Sequence, residues 1–234
     1  MFKNERGIQG ISLAINEGDI YGLLGPNGAG KTTFLKLITG LIHPDQGMVC
    51  LFGTNSTGDW SHGMRHVGCM IESADFHDFL TPWQYLRQQA RFYPGIGAAQ
   101  IQEVLEQVGL YQVRKEKIRG FSTGMKQKLA LAAAVLPKPD LVILDEPTNG
   151  LDIEGTVVFR KLIKQLSEED NTSFLISSHM IHELEQLCNR VGIIVGGKLA
   201  KEGSVSELLQ SNESLEQFYI SQLELLRKGD QHCA

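Results

Sequence analysis

The chain has 234 residues, 42% of them hydrophobic and 21% charged, with 22 Lys+Arg against 27 Asp+Glu and a net charge of −5. These are globular proportions, which exclude a disordered tail or a collagen, and the slight acidity with no Lys/Arg block argues against a nucleic-acid surface. No apolar run approaches the ~18–20 residues that cross a bilayer, and the residues after Met1 lack the apolar core of a signal peptide.

A strand-like run over 19–24 ends in the glycine-rich loop Gly25-Pro26-Asn27-Gly28-Ala29-Gly30. A helical pattern follows, with Phe34, Leu35, Leu37, Ile38 and Leu41 apolar and Gly40 and Pro44 marking its end. Short strands are expected at 48–52 and 66–71. From 80 to 136 the pattern is helical, through Leu86 and Ala90, then Ile101, Val104, Leu105 and Val108, then 129–135, with a break at Pro94-Gly95-Ile96-Gly97. Past Pro137 and Pro139 strands return. The run 141–144 is apolar throughout, the mark of a strand buried on both faces. Val158, Phe159, Leu162, Ile163 and Leu166 form one face of an amphipathic helix. Strands at 173–177 and 191–195 flank a helix near 183–187, and helices are expected at 206–210 and 215–226.

This alternation predicts an α/β fold, a P-loop NTPase core with a mixed sheet flanked by helices, interrupted by an inserted helical subdomain. The expected division is 1–79 and 137–205 for the core, 80–136 for the insert and 206–234 for a C-terminal helical tail. Cys50, Cys69, Cys188 and Cys233 lie far apart with no C-x-x-C pair, and read as reduced thiols of a cytosolic protein.

The stretch from Gly25 to Lys31 and Thr32 fits G-x-x-x-x-G-K-[ST]. Glycines let the backbone turn so that several N–H groups face phosphate oxygens, and the helix that follows adds its positive end. Gly25, Pro26, Asn27, Gly28, Ala29, Gly30, Lys31, Thr32 and Thr33 are therefore expected to bind a nucleotide, ATP. Lys31 should reach the β- and γ-phosphates and the Thr32 hydroxyl should ligate Mg²⁺. The apolar run ending in Asp145 and Glu146 supplies the other half of such a site. Asp145 is expected to hold Mg²⁺ and Glu146 to orient the attacking water as general base. His43, His62, His66, His77, His182 and His232 show no metal spacing.

With these motifs the chain resembles the ATP-binding cassette (ABC) ATPases. Phe121-Ser122-Thr123-Gly124-Met125-Lys126-Gln127, which starts 24 residues before Asp145, looks like the family signature, a variant of L-S-G-G-Q. Asn149-Gly150-Leu151-Asp152 looks like the D-loop, and His179, 34 residues after Asp145, like the switch histidine. The resemblance spans residues 2 to about 203. It implies a head-to-tail homodimer in which ATP lies between the phosphate loop of one copy and the signature of the other. Ser122 and Gly124 would then meet the γ-phosphate in trans, with Asp152 also at the nucleotide and His179 bonded to the γ-phosphate beside the catalytic Glu146. It further implies integral-membrane permease subunits as partners and a position at the cytoplasmic face of the membrane.

Two features depart from the family pattern. Glu72 stands where a Mg²⁺-contacting Gln is usual; an ionised carboxylate can only accept hydrogen bonds. A Glu here, with the F-S-T-G-M-K-Q form, is similar to the ATPases of lantibiotic-immunity and bacitracin-resistance exporters. That implies export of peptide antibiotics in a Gram-positive bacterium. Phe2 lies about where an adenine-stacking aromatic belongs, but the strand usual before it is missing, so that either the start is placed late or that strand is absent. Phe76, Phe79, Leu80, Trp83 and Tyr85 suit either a groove for a partner's short helix or packing within the helical lobe. A soluble cassette acting on nucleic acid or ribosomes, and a non-hydrolysing regulatory subunit, are the competing readings. The 91 positions from Lys31 to Ser122 leave little room for the first, and the presence of Glu146 and His179 argues against the second.

Overall fold

In chain order the elements are β1 (Ile20–Leu24), α1 (Lys31–Ile38), β2 (Cys50–Leu51), β3 (Thr54–Asn55), α2 (Trp60–Met64), β4 (Val67–Met70) and α3 (Pro82–Gln89). Then come α4 (Ala98–Gln107), α5 (Thr123–Val135), β5 (Leu141–Asp145), α6 (Ile153–Asp170), β6 (Ser173–Ser178), α7 (Ile181–Leu187), β7 (Arg190–Val195), β8 (Lys198–Ser204) and α8 (Val205–Gln210). The computed structural model describes residues 7–56, 60–72, 75–210 and 214–220.

Six strands form one sheet in the order β4-β5-β6-β1-β7-β8. The first five run parallel, and β8 closes the edge antiparallel to β7. The sheet is therefore mixed, with β1 between β6 and β7, two strands that arrive 153 and 170 residues later in the chain. Every residue of β5 and of β6 is buried. Their apolar side chains alternate between two cores, as the two-residue period of a strand requires. Val142, Leu144, Phe174 and Ile176 join the helical insert and α6 through Leu86, Leu105, Leu129, Phe159 and Leu162. Leu141, Ile143 and Leu175 face Phe34, Leu35 and Ile38 of α1. Leu208, Leu215 and Phe218, from the segment read as a tail, lie in the first of these cores, and 215–220 is helical.

The insert is anchored through α5, whose C-terminal end lies on β4. A Cβ on Gly68 would stand 2.0 Å from the Ala134 carbonyl oxygen, so only glycine allows this approach. Of the cluster after Glu72, Leu80 is buried, Phe76 packs edge-on against Tyr85 with ring centroids 5.0 Å apart, and Phe79 is exposed.

Several elements differ from expectation. The strand expected over 48–52 is reduced to β2, which turns through Phe52 (φ 49) and Gly53 (φ 76) into β3; two consecutive positive φ angles make the tight two-residue hairpin turn. β8 has no counterpart in the expected elements, because its sequence, Lys198-Leu-Ala-Lys-Glu-Gly-Ser204, carries charges suited to an edge strand. Among the described residues no strand precedes β1. Ile8, Ile11, Leu13 and Ile15 instead pack as irregular chain against the α1-side core.

Candidate nucleotide site

The phosphate loop leaves the C-terminal end of β1 and enters α1. Gly25 is forced by contact: a Cβ there would lie 2.4 Å from the Ile194 carbonyl oxygen of β7. Gly30 is forced by conformation, with φ 105 at the N-cap of α1. It offers no side-chain cap, so the N–H groups of the first helical turn remain for an anion. Pro26, Asn27 and Gly28 are exposed, while Ala29 is buried and held by the Gly197 N–H donating to its carbonyl at 3.1 Å. Thr32 and Thr33 are half-buried on the first turn of α1. Lys31 is buried, and its Nζ donates to the carbonyls of Gly25 (2.7 Å) and Pro26 (3.3 Å).

β5 and β6 bring the acids to the same place. Their parallel register sets Asp145 beside Ser177, and the Ser177 hydroxyl donates to Asp145 Oδ1 at 2.6 Å. The Glu146 N–H in turn donates to Ser177, to Oγ at 3.0 Å and to the carbonyl at 3.2 Å. Glu146 has a φ of 47, a left-handed conformation that turns the chain off the strand. Its carboxylate bridges two groups, with Oε1 3.1 Å from Lys31 Nζ and Oε2 2.7 Å from His179 Nδ1. Lys31, Glu146 and His179 thus converge from the first residue of α1, the residue after β5 and the loop after β6.

Ser122 and Asp152 both cap helices. The Ser122 hydroxyl accepts from the Met125 N–H at 3.2 Å at the start of α5, and Asp152 Oδ1 accepts from the Gly155 N–H at 2.7 Å at the start of α6. The two helix starts touch: Leu151 packs 3.5 Å from the position a Cβ would take at Gly124, and Thr123 equally near that at Gly150. The start of the signature helix and the start of α6 thus lie side by side, within one copy of the chain.

Glu72 sits at the end of β4 with a φ of 62. Its carboxylate pairs with Lys36 Nζ of α1 at 2.5 Å, so the structure joins it to neither Thr32 nor Asp145. Among the described residues no three His, Cys, Asp or Glu side chains form a metal cluster. A Mg²⁺ ion held between protein and phosphates needs only one or two carboxylates, and the buried Asp145 with the Thr32 hydroxyl fits that demand. Phe2 lies outside the described residues. Ser177 escaped the motif reading, since its place opposite Asp145 follows from strand order. So did Lys36, and the pair formed by the Thr148 hydroxyl, which donates to Glu183 Oε2.

Comparison with known proteins identifies the family and the fold. A family model described as ABC transporter matches residues 8–149. The uncharacterized ABC transporter ATP-binding protein YdbJ of Bacillus subtilis is 41% identical over 87% of this chain and 66% of its own length. The bacitracin transport ATP-binding protein BcrA of Bacillus licheniformis is 40% identical over 94% of this chain and 72% of its own. The chain spans about two thirds of the length of the first curated relatives it matches. A solved ATP-binding subunit of an ABC transporter superposes with a TM-score of 0.80 at 25% identity, over 92% of each chain.

Proposed function

The chain belongs to the ABC transporter family as an ATP-binding subunit, and from that premise we propose that it hydrolyses ATP to drive a separate membrane permease that exports peptide antibiotics. The observation that carries the hydrolytic part is the convergence of Lys31, Glu146 and His179 from three segments of the chain. Among the described residues no helix is long and apolar enough to cross a membrane. In this proposal the membrane path belongs to permease subunits, with this chain at their cytoplasmic face. The similarity to BcrA supports bacitracin or a lantibiotic as the cargo.

In this reading 1–79 and 137–205 form the ATP-binding core, 80–136 the helical subdomain and 206–234 the tail. Lys31 directs its three donors to two carbonyls and to Glu146. On nucleotide binding Lys31 exchanges Glu146 for β- and γ-phosphate oxygens. The N–H groups from Gly25 to Thr33 cradle the phosphates, and Phe2 stacks on the base. Glu146, released from Lys31, orients the attacking water, while His179 donates to the γ-phosphate. Thr32 and Asp145 would hold Mg²⁺, which would supply charge neutralisation for the phosphates; Glu72 could join them only by leaving Lys36. Ser122 and the N–H at Gly124 of a second copy, with Asp152 nearby, complete the site across a head-to-tail dimer.

The test is ATP turnover by the purified full chain against Glu146→Gln, alongside growth of cells carrying the chain with a permease under bacitracin or a lantibiotic. Turnover lost in Glu146→Gln, with protection lost in the same cells, is the expected result. Equal turnover in both proteins would overturn the hydrolytic assignment. Turnover without protection would overturn the cargo.

A further inference from the structure

Beneath the exposed contact between Glu146 and His179 lies a second, buried one between the same two loops. Thr148 follows Glu146 by two residues, and Glu183 follows His179 by four, in the first turn of α7. Both are buried, at 9% and 8% exposure, and the Thr148 hydroxyl donates to Glu183 Oε2. The other buried side chains of α7 are Leu184 and Leu187, and the helix has no side-chain N-cap. A carboxylate withdrawn from water in such surroundings is costly unless it is paired, and the pairing goes across to the other loop.

We propose that Glu183 is a positioning residue for ATP hydrolysis: through Thr148 it holds the loop that bears Glu146 at a fixed separation from the loop that bears His179. The inference rests on the hydrolytic reading above. Thr148 is well placed for the task because it sits inside the turn that follows Glu146. The Asn149 N–H donates to the Glu146 carbonyl at 3.1 Å, and the Leu151 N–H to the Thr148 carbonyl at 3.1 Å. On the other side the Met180 N–H donates to Ser178 Oγ at 2.9 Å, which ties down the residue after His179. The Glu146 carboxylate and the His179 ring are 21% and 38% exposed. That contact exchanges with solvent and must break when both groups turn to substrate. The Thr148–Glu183 bond has no such competitor, so it can keep the two loops in register through the cycle.

The test uses the full-length chain and the variants Thr148→Val, Thr148→Ser, Glu183→Gln and the double variant Thr148→Val with Glu183→Leu. The double variant removes both polar partners together and so keeps the fold where Thr148→Val alone strands a buried carboxylate. Thr148→Val and the double variant are expected to lose about tenfold or more in kcat, with KM and ATP affinity within about twofold, because a misplaced general base costs turnover and leaves the phosphate loop intact. Thr148→Ser and Glu183→Gln, which keep a donor and an acceptor, are expected within about threefold of wild type. Amide hydrogen exchange over 146–152, measured without nucleotide, should quicken in the double variant. Wild-type kcat in the double variant overturns the proposal. So does a loss in which KM rises as kcat falls and the conservative variants fare no better, the pattern of general damage. Should the wild-type chain show no turnover, the hydrolytic reading fails by itself. The exchange measurement then decides the tether alone, and unchanged protection over 146–152 rejects it.

Discussion

Neutralising Glu146 should tighten ATP binding as well as abolish turnover. The Glu146 carboxylate lies 3.1 Å from Lys31 Nζ, at a position where Lys31 is 6% and Glu146 21% exposed. A phosphate must displace that carboxylate before Lys31 can reach it. Replacing carboxylate by amide keeps a hydrogen bond to the charged Lys31 but removes the attraction of opposite charges, about 1 kcal/mol for a partly exposed pair. Freeing Lys31 therefore costs about 1 kcal/mol less, which is about fivefold in affinity. Glu146→Gln is expected to bind ATP about fivefold more tightly, measured by calorimetry on the isolated chain in EDTA, where no hydrolysis intervenes. Glu146→Asp separates the contact from the charge, because it keeps the negative charge but shortens the side chain by one methylene. It should gain about threefold, part of the same contact energy. Affinity equal to or weaker than wild type in Glu146→Gln would refute the competition between Glu146 and phosphate for Lys31.

Gly25→Ala would place a Cβ 2.4 Å from the Ile194 carbonyl oxygen; unfolding by denaturant should show a loss of about 1–3 kcal/mol, together with weakened ATP binding from the shifted loop. Glu72→Gln removes an ion pair whose members are 30% and 62% exposed, so its stability should change by less than about 1 kcal/mol; ATP turnover should persist while protection against peptide antibiotic falls, and unchanged protection would remove Glu72 from coupling. Burial pushes the Cys188 thiol well above its ordinary range, whereas Cys50 is exposed. Alkylation of the native chain near neutral pH followed by mass mapping should therefore find Cys50 modified and Cys188 only after unfolding, since the thiolate is the reacting form.

The legible parts of the molecule are those whose physics is local. The strand, glycine loop and helix from Ile20 to Ile38 were readable because the hydrophobic run, the left-handed glycines and the following apolar spacing all act within a few residues. β5 was readable because an apolar run that ends abruptly in two acids has few other uses. β8 was not, because an edge strand needs no apolar pattern and its charges read as loop. Ser122 and Asp152 show a different limit. Each belongs to a recognisable motif, yet its observed partner is the start of its own helix, a second role that the motif does not announce.

The sequence alone singled out the candidate residues, namely the loop ending in Lys31 and Thr32, the acids at 145 and 146 and His179, and it specified an α/β chain interrupted by helices. Tertiary structure decided who meets whom. Asp145 and Ser177 are joined because β5 and β6 are parallel neighbours in one register. Glu72 pairs with Lys36, and Thr148 with Glu183, across 36 and 35 positions of sequence. Backbone propensity and hydrophobic period act over a turn or a strand. These pairs instead depend on the order of strands in the sheet and the packing of helices on it, which only the folded chain as a whole specifies.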